Sequence, residues 1–389
     1  MRSTADNKEW SLIHNDNGEW ISEEHAIILT EKEAKVLQME AMRQGCNLSV
    51  QHGPNGSLWC YKREYETIKY TNMNKEKLLE TIKLKVKNNS VRFPSQIDLY
   101  VDGKTLIIRV DADGVCNNMQ TDGAAFEGWA ICLKSWLSET ICNVLLKWEK
   151  QDSNLEGNKR LHYNRFLYRA LRFSELYKWF SISETNLPEI EQFKIGLTNL
   201  RNNSFSENPR IKGIDKDKFR LSETVIEYLL ANDLSSSIRE RFDLDFIDRQ
   251  FPVGVKKDNL PFFTGGMSAI DLWGAKNDTL TIIELKYNGG DSKNIKVGII
   301  SEIFMYSCIM RDIIKGLISQ PHDTPKEHEM LLYDNHKKYK HIVSRMLSDK
   351  YHPLLENEKV LSVLNQQIIE EGDISIEYFK ITYKLIEMI

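Results

Sequence analysis

The sequence predicts an α/β fold: a mixed sheet flanked by helices in the C-terminal half, preceded by a mixed β/α N-terminal domain and a helical connector. Three observations carry this. Short alternating runs broken by turn residues fill residues 10 to 115, helical periodicity follows in two blocks, and two apolar runs within residues 268–287 are bracketed by helical patterns. At 389 residues the chain spans two or three ordinary domains and needs no metal or disulfide to fold. Its 41% apolar, 28% charged and 10% aromatic content excludes a disordered, collagenous or acidic-tail chain. The 52 basic and 56 acidic side chains leave a net charge of −4, so any nucleic-acid site must arise from local clustering.

Turn signals at Asn15-Asp16-Asn17-Gly18, Gly53-Pro54-Asn55-Gly56 and Asp102-Gly103 divide the N-terminal region into strands. Ile97, Leu99 and Val101 alternate ahead of the last of these, and Leu106-Ile107-Ile108 returns after it as a hairpin. Trp129, Leu133, Trp136, Leu137, Ile141 and Leu145 recur at three and four residues, predicting a helix from about Phe126 to Leu146 that closes a first domain, residues 1–150. The polar run Gln151–Lys159 is a linker. A helical region from Arg160 to about Phe180 then opens a connector, residues 160–208, whose polar stretch Ser181–Pro209 leads to the last domain, residues 209–389. That domain begins with a helix capped by Ser222 that buries Val225, Ile226, Leu229 and Leu230, and it ends with a strand, Ile374–Tyr383, extending or flanking the sheet. Cys46, Cys60, Cys116, Cys132, Cys142 and Cys308 form no C-x-x-C pair and read as buried free thiols of a reducing compartment. No apolar segment suits a secretion signal or a membrane span, so a cytoplasmic location without membrane partners is expected.

The chemistry concentrates in one place. Ser268-Ala-Ile-Asp-Leu-Trp-Gly274 and Leu280-Thr-Ile-Ile-Glu-Leu-Lys-Tyr287 flank a polar turn, Lys276-Asn277-Asp278, and so form a hairpin. Glu284 and Lys286, two apart, share one face with Ile282, while Ile283 and Leu285 take the other. Folding back brings Asp271 opposite the Glu284 end. Two carboxylates can hold Mg²⁺ beside a phosphate, and a nearby ammonium can orient or deprotonate a water or stabilise developing charge.

These residues resemble the PD-(D/E)XK nuclease superfamily, whose restriction-endonuclease-like core is a helix, a hairpin carrying Asp and then Glu-x-Lys, and a following helix. The match is Ile270-Asp271, Glu284-Leu285-Lys286 thirteen residues on, and a helix from about Gly298 to Ile314; it covers residues 210–314. Ile270 stands at the family's nominal proline. The resemblance implies Mg²⁺, with Mn²⁺ as substitute, held by Asp271, Glu284 and the Leu285 carbonyl, and Lys286 as the water-positioning group. Some members add a glutamate from the first core helix, a role open to Glu223 or Glu227. Certain branches carry Gln-x-x-x-Tyr on the later helix; here Glu302 and Tyr306 have that spacing, with Glu for Gln. The tripeptide [D/E]-x-K alone carries nothing, since it also occurs at Asp6, Glu33, Asp102 and Asp291. The first hairpin imitates the motif, but Arg109 takes the glutamate place and Asp111 the lysine place. It reads as structural, with a degenerate nuclease copy as the alternative.

Residues 159–180 hold six basic residues, one acid and seven aromatics. Arg165, Arg169 and Arg172 share one helical face, which is either a DNA-tracking surface or part of an ordinary amphipathic helix. His322, His328, His336, His341 and His352 fit no compact zinc spacing. Gly265-Gly266 and Gly289-Gly290 allow close backbone approach near the hairpin. The expected function is metal-dependent hydrolysis of DNA phosphodiester bonds in a prokaryotic restriction or anti-phage system. Two alternatives stay open: a subunit of a nucleotide-driven restriction complex, its motor or sensor a separate protein, or a silent nucleic-acid-binding scaffold. A homo-oligomer is compatible with each.

Overall fold

A computed structural model describes residues 28–29, 48–52, 58–62, 72–151, 154–203, 221–263, 268–289, 296–321, 332–333, 338–370 and 372–384. The chain divides into two compact units, Met1–Thr71 and Asn72–Ile389. In the first, β1 (Ile28–Leu29) and β2 (Leu48–His52) flank β3 (Leu58–Lys62) in an antiparallel sheet. The expected turns at 15–18 and 53–56, Cys46, Gly265-Gly266, Gly290, His322, His328 and His336 lie outside the described residues.

In the second unit, α1 (Lys75–Val86) starts at Asn74, whose side chain accepts the Lys77 N–H. The predicted hairpin forms from β4 (Ile97–Asp102) and β5 (Thr105–Val110), with Gly103 at φ 60° in its turn. The apolar pattern from Phe126 to Leu146 then breaks in two. Helix α2 (Phe126–Trp136) ends in a turn, and Cys142 and Leu145 belong instead to the approach and body of β6 (Asn143–Trp148), parallel to β5. A six-residue segment with four apolar side chains spans too few turns of a helix for its period to tell helix from strand. Helix α3 (Gly157–Leu176) crosses to β7 (Phe180–Ile182), completing the sheet β4-β5-β6-β7. The stretch expected to be a polar separator carries β7, α4 (Leu187–Ile195) and β8 (Leu200–Asn202).

Helix α5 (Glu223–Ala231) begins as expected, the Ser222 side chain accepting the Val225 N–H, although of its four expected core residues only Ile226 is buried. After α6 (Ser235–Phe242), the chain lays down β9 (Phe246–Pro252), β10 (Val255–Lys257), β11 (Leu260–Pro261), β12 (Ala269–Lys276) and β13 (Thr279–Lys286). Helix α7 (Gly298–Ile314), β14 (Ile318–Ser319), β15 (His341–Ser348), α8 (Lys359–Leu364) and β16 (Ser375–Thr382) follow. The larger sheet has the order β16-β15-β13-β12-β9, its first three strands parallel and the β13-β12-β9 steps antiparallel. The C-terminal strand therefore extends the sheet at its edge.

Helix α7 is mostly apolar, and every residue but Arg311 is buried. Such a helix belongs inside, with packing on all sides. It lies between the larger sheet and α2, where two glycines set the approach. A Cβ on Gly298 would stand 2.3 Å from the Gln120 carbonyl, and one on Gly128 would stand 2.7 Å from the Val297 carbonyl. Asp122 Oδ1 accepts the Val297 N–H at 3.0 Å. The expected boundary near residue 150 thus falls inside a single compact unit, whose largest core cluster runs from Met73 to Tyr378. Cys132 and Cys308 are buried as expected, Cys116 is half-buried, and Cys142 is exposed. Among the described residues no helix is long and apolar enough to cross a membrane.

Candidate functional site

The β12–β13 hairpin turns through Asn277-Asp278, with Asn277 at φ 54°, a left-handed conformation that asparagine tolerates. Its register pairs Leu272 with Ile283, which brings Asp271 to the Glu284–Leu285 end of β13. Ile283 and Leu285 enter an apolar layer with Ile226, Phe242 and Leu244, while Ile282 joins the core on the α7 side. Glu284 and Lys286 therefore point at α7, which presents Glu302 and, one turn on, Tyr306.

The contacts are specific. Asp271 Oδ2 accepts the Leu285 N–H at 2.8 Å. Lys286 Nζ lies 2.6 Å from Glu284 Oε1, 3.1 Å from Glu302 Oε2 and 3.8 Å from Glu223 Oε1. Glu223 Oε2 accepts the Tyr287 N–H at 3.2 Å, which ties α5 to the strand end. Glu302, fully buried, accepts a hydrogen bond from the Gln120 side-chain amide through Oε1. Just beyond, the Asn288 and Gly289 N–H groups donate to Asp349, with Gly289 at φ 57° where only glycine turns without strain.

Three carboxylates thus contact one ammonium, and Asp271 acts on it from farther away. Burial pushes the Asp271 carboxyl well above its usual range, Glu223 and Glu227 adding to the rise and Lys286 opposing it. Burial also raises Glu284, reinforced by Asp271 and Glu302. For Lys286 burial works against the charge, but Glu284, Glu302, Asp271 and Glu223 outweigh it and hold the ammonium well above the usual lysine range. The Tyr306 phenol rises by burial and by the nearby charges of Glu284 and Glu302.

Glu284 Oε2 is buried and accepts no hydrogen bond from any described residue. A buried carboxylate oxygen without a donor is costly unless a cation meets it. Among the described residues no three His, Cys, Asp or Glu side chains are grouped to enclose a metal. The donor set is instead a carboxylate pair, which suits Mg²⁺, an ion that retains water and takes one or two protein carboxylates. A cavity of about 210 Å³ opens beside the ammonium, lined by Lys286, Glu223, Glu302 and Gln120, with Lys296 and Lys350 also on its wall.

Other expected site residues lie elsewhere. Both oxygens of Glu227 are engaged by Arg249 and Gln250 at 2.8 Å, so Glu223 and not Glu227 is the α5 glutamate at the lysine. The arginine face of α3 is internal. Arg169 is 1% exposed and makes a two-pronged pair with Glu127 at 2.7 and 2.9 Å; Arg172 bonds Asp312 at 2.7 Å and Glu175 at 2.8 Å. Arg165, 3% exposed, bonds His162; burial pushes it down to about 10, with Tyr306 and Glu302 acting the other way. The three form no open DNA-tracking surface, because Arg165 and Arg169 are desolvated by the core beside α3 and the half-buried Arg172 is held by Asp312 and Glu175. Of the histidines, His352 is buried on the wall of the same cavity and accepts the Leu354 N–H, while His341 bonds Ser375 at the opposite end of β15. Gln120 was absent from the sequence-based set: nothing local to Asn118-Met119-Gln120 marks a partner 182 residues away.

No family model, curated protein or solved structure matches this chain.

Proposed function

We propose that this protein is a metal-dependent nuclease hydrolysing DNA phosphodiester bonds. The observation that supports this reading best is the convergence of Asp271, Glu284 and Lys286 at one hairpin end, with the buried Glu284 Oε2 accepting no hydrogen bond from any described residue. Asp271 and Glu284 would hold Mg²⁺ or Mn²⁺, with the Leu285 carbonyl as a further oxygen donor and Glu223 beside Lys286. A divalent cation there supplies charge neutralisation at the phosphate and a lowered pKa for water. Lys286, kept protonated by its carboxylate neighbours, acts as a donor that orients water and stabilises developing negative charge, not as a base. Tyr306 likewise keeps its proton at neutral pH and can donate. We place the protein in the cytoplasm, within a prokaryotic restriction or anti-phage system, on the resemblance of its core alone.

The test is incubation of the purified chain with plasmid and with single-stranded DNA, with Mg²⁺ or Mn²⁺, with and without chelator. Metal-dependent cleavage that falls by about 10³-fold or more in Asp271→Asn supports the reading. Absence of cleavage together with absence of calorimetric Mg²⁺ binding overturns it. Tyr306→Phe is expected to slow cleavage about two- to twelve-fold, the equivalent of about 0.5–1.5 kcal/mol for one hydrogen bond. An unchanged single-turnover rate would remove Tyr306 from the site.

A further inference from the structure

Two of the sheets described in the second unit, β4-β5-β6-β7 and β16-β15-β13-β12-β9, follow the same path. Apart from a four-residue helix (Ala112–Val115) in one and β14, which pairs with β8, in the other, each is a hairpin with a two-residue turn, then a buried helix, a strand parallel to the second hairpin strand, another helix and a further parallel strand: β4-β5-α2-β6-α3-β7 in one, β12-β13-α7-β15-α8-β16 in the other. The closing pairs Asp102↔Thr105 and Lys276↔Thr279 align the two hairpins. Five residues back and five forward, the places of Asp271 and Glu284 are held by Ile97 and Val110, which pair with each other and are both fully buried. The glutamate place is thus Val110, not Arg109 as the sequence alone suggests. The first sheet has the path of the second without its carboxylates, so it holds no cation of its own.

What it does instead is reach into the other site. The segment between β5 and α2 passes along the start of α7. There Gly298 admits the Gln120 carbonyl, Asp122 accepts the Val297 N–H, and Glu127 Oε2 accepts the Ser301 hydroxyl at 2.8 Å. Gln120 is held at both ends of its amide, Oε1 accepting from Asn118 at 3.2 Å and Nε2 donating to Glu302. The other Glu302 oxygen faces the Lys286 ammonium at 3.1 Å, an ion pair outside hydrogen-bond geometry. A carboxylate free to rotate would let the ammonium move with it. We propose that the first sheet is a copy of the nuclease core that has lost its own site and completes that of the second. Gln120 is its positioning residue, orienting Glu302 and through it Lys286. This rests on the nuclease reading of that site.

The experiment compares Gln120→Met, which keeps length but cannot donate, with Gln120→Glu and the exchanged pair Gln120→Glu/Glu302→Gln. Turnover, KM and calorimetric Mg²⁺ affinity are measured on the full chain, with melting temperature as a check on folding. Gln120→Met should lower kcat by about ten- to a hundredfold, the range for one hydrogen bond to a charged group, while KM and Mg²⁺ affinity stay within about twofold. Gln120→Glu should lose more, since it sets a carboxylate against Glu302. The exchanged pair should recover about tenfold or more over Gln120→Glu, because amide and carboxylate meet again with their places reversed. Unchanged kcat in Gln120→Met, or no recovery in the exchanged pair, overturns the inference while leaving the nuclease reading standing. A wild-type chain that neither cleaves nor binds Mg²⁺ overturns both.

Discussion

Lys286→Met should abolish cleavage and, in the absence of metal, lower stability at neutral pH by about 3 kcal/mol. That is the low end for breaking a buried pair, because Lys286 keeps 24% of its side chain in solvent. Removing the ammonium strands Glu284 at 2.6 Å and Glu302 at 3.1 Å, and leaves Asp271 facing Glu284 with no cation between them. The sign with pH follows from the raised carboxyls of Asp271 and Glu284. A carboxyl raised in the folded state binds protons more tightly there than in the unfolded chain, so stability falls as pH rises above the ordinary values of 3.8 and 4.5. Without Lys286 these carboxyls rise further, so the deficit of the variant should widen from about pH 4 upward and close in acid. Mg²⁺ should restore more stability to the variant than it adds to the wild type, since it supplies the missing positive charge. Glu284→Gln should behave oppositely. It leaves three carboxylates for one ammonium, so without metal it should be neutral or slightly stabilising, yet it too should abolish cleavage. Melting temperatures across pH, with chelator and with Mg²⁺, separate these. Equal losses in both variants, independent of pH and metal, with cleavage per folded molecule unchanged, would falsify the catalytic assignment and leave a structural ion pair.

The hairpin and α7 were legible because their signals are local. Alternation around a two-residue turn fixes which residues share a face, so the approach of Asp271 to Glu284 and Lys286 follows from residues 271–286 alone. Glu302 and Tyr306, four apart on a helix rich in apolar residues, follow in the same way. What was not legible depends on distant partners. Gln120 meets Glu302 across 182 residues, and Arg169 meets Glu127 across 42. An arginine stripe at i, i+4 and i+7 has the same spacing whether it faces solvent or a buried acid. Strand β6 was hidden because Leu145 happens to continue the helical period of α2 across the turn. The domain boundary expected near residue 150 rested on a polar linker, and polarity says nothing about the glycine contacts that bring α2 against α7.

Arg169→Ala is expected to destabilise the chain by about 3–5 kcal/mol, the range for stranding one member of a buried ion pair. Glu127 is fully buried, and Arg169 gives it two hydrogen bonds while donating a third at 2.6 Å to the Ala124 carbonyl. The guanidinium also lies 5.1 Å over the Phe126 ring, so its loss removes packing as well as charge. Arg160→Ala, at an exposed position in the first turn of α3, should change stability by less than about 0.5 kcal/mol. Replacing both partners, Arg169→Met with Glu127→Leu, should recover most of the loss, because two apolar side chains leave no charge to desolvate. Denaturant midpoints at constant slope report all three. A DNA-tracking arginine makes the contrary forecast: Arg169→Ala would keep the wild-type midpoint, weaken binding to every sequence alike and flatten the salt dependence by roughly one unit. That outcome would return α3 to the DNA interface. The ion-pair account makes one further demand, since Glu127 also holds the Ser301 hydroxyl of α7. Loosening that joint should slow cleavage per folded molecule through Gln120 and Glu302, even in conditions where the Arg169→Ala chain remains folded.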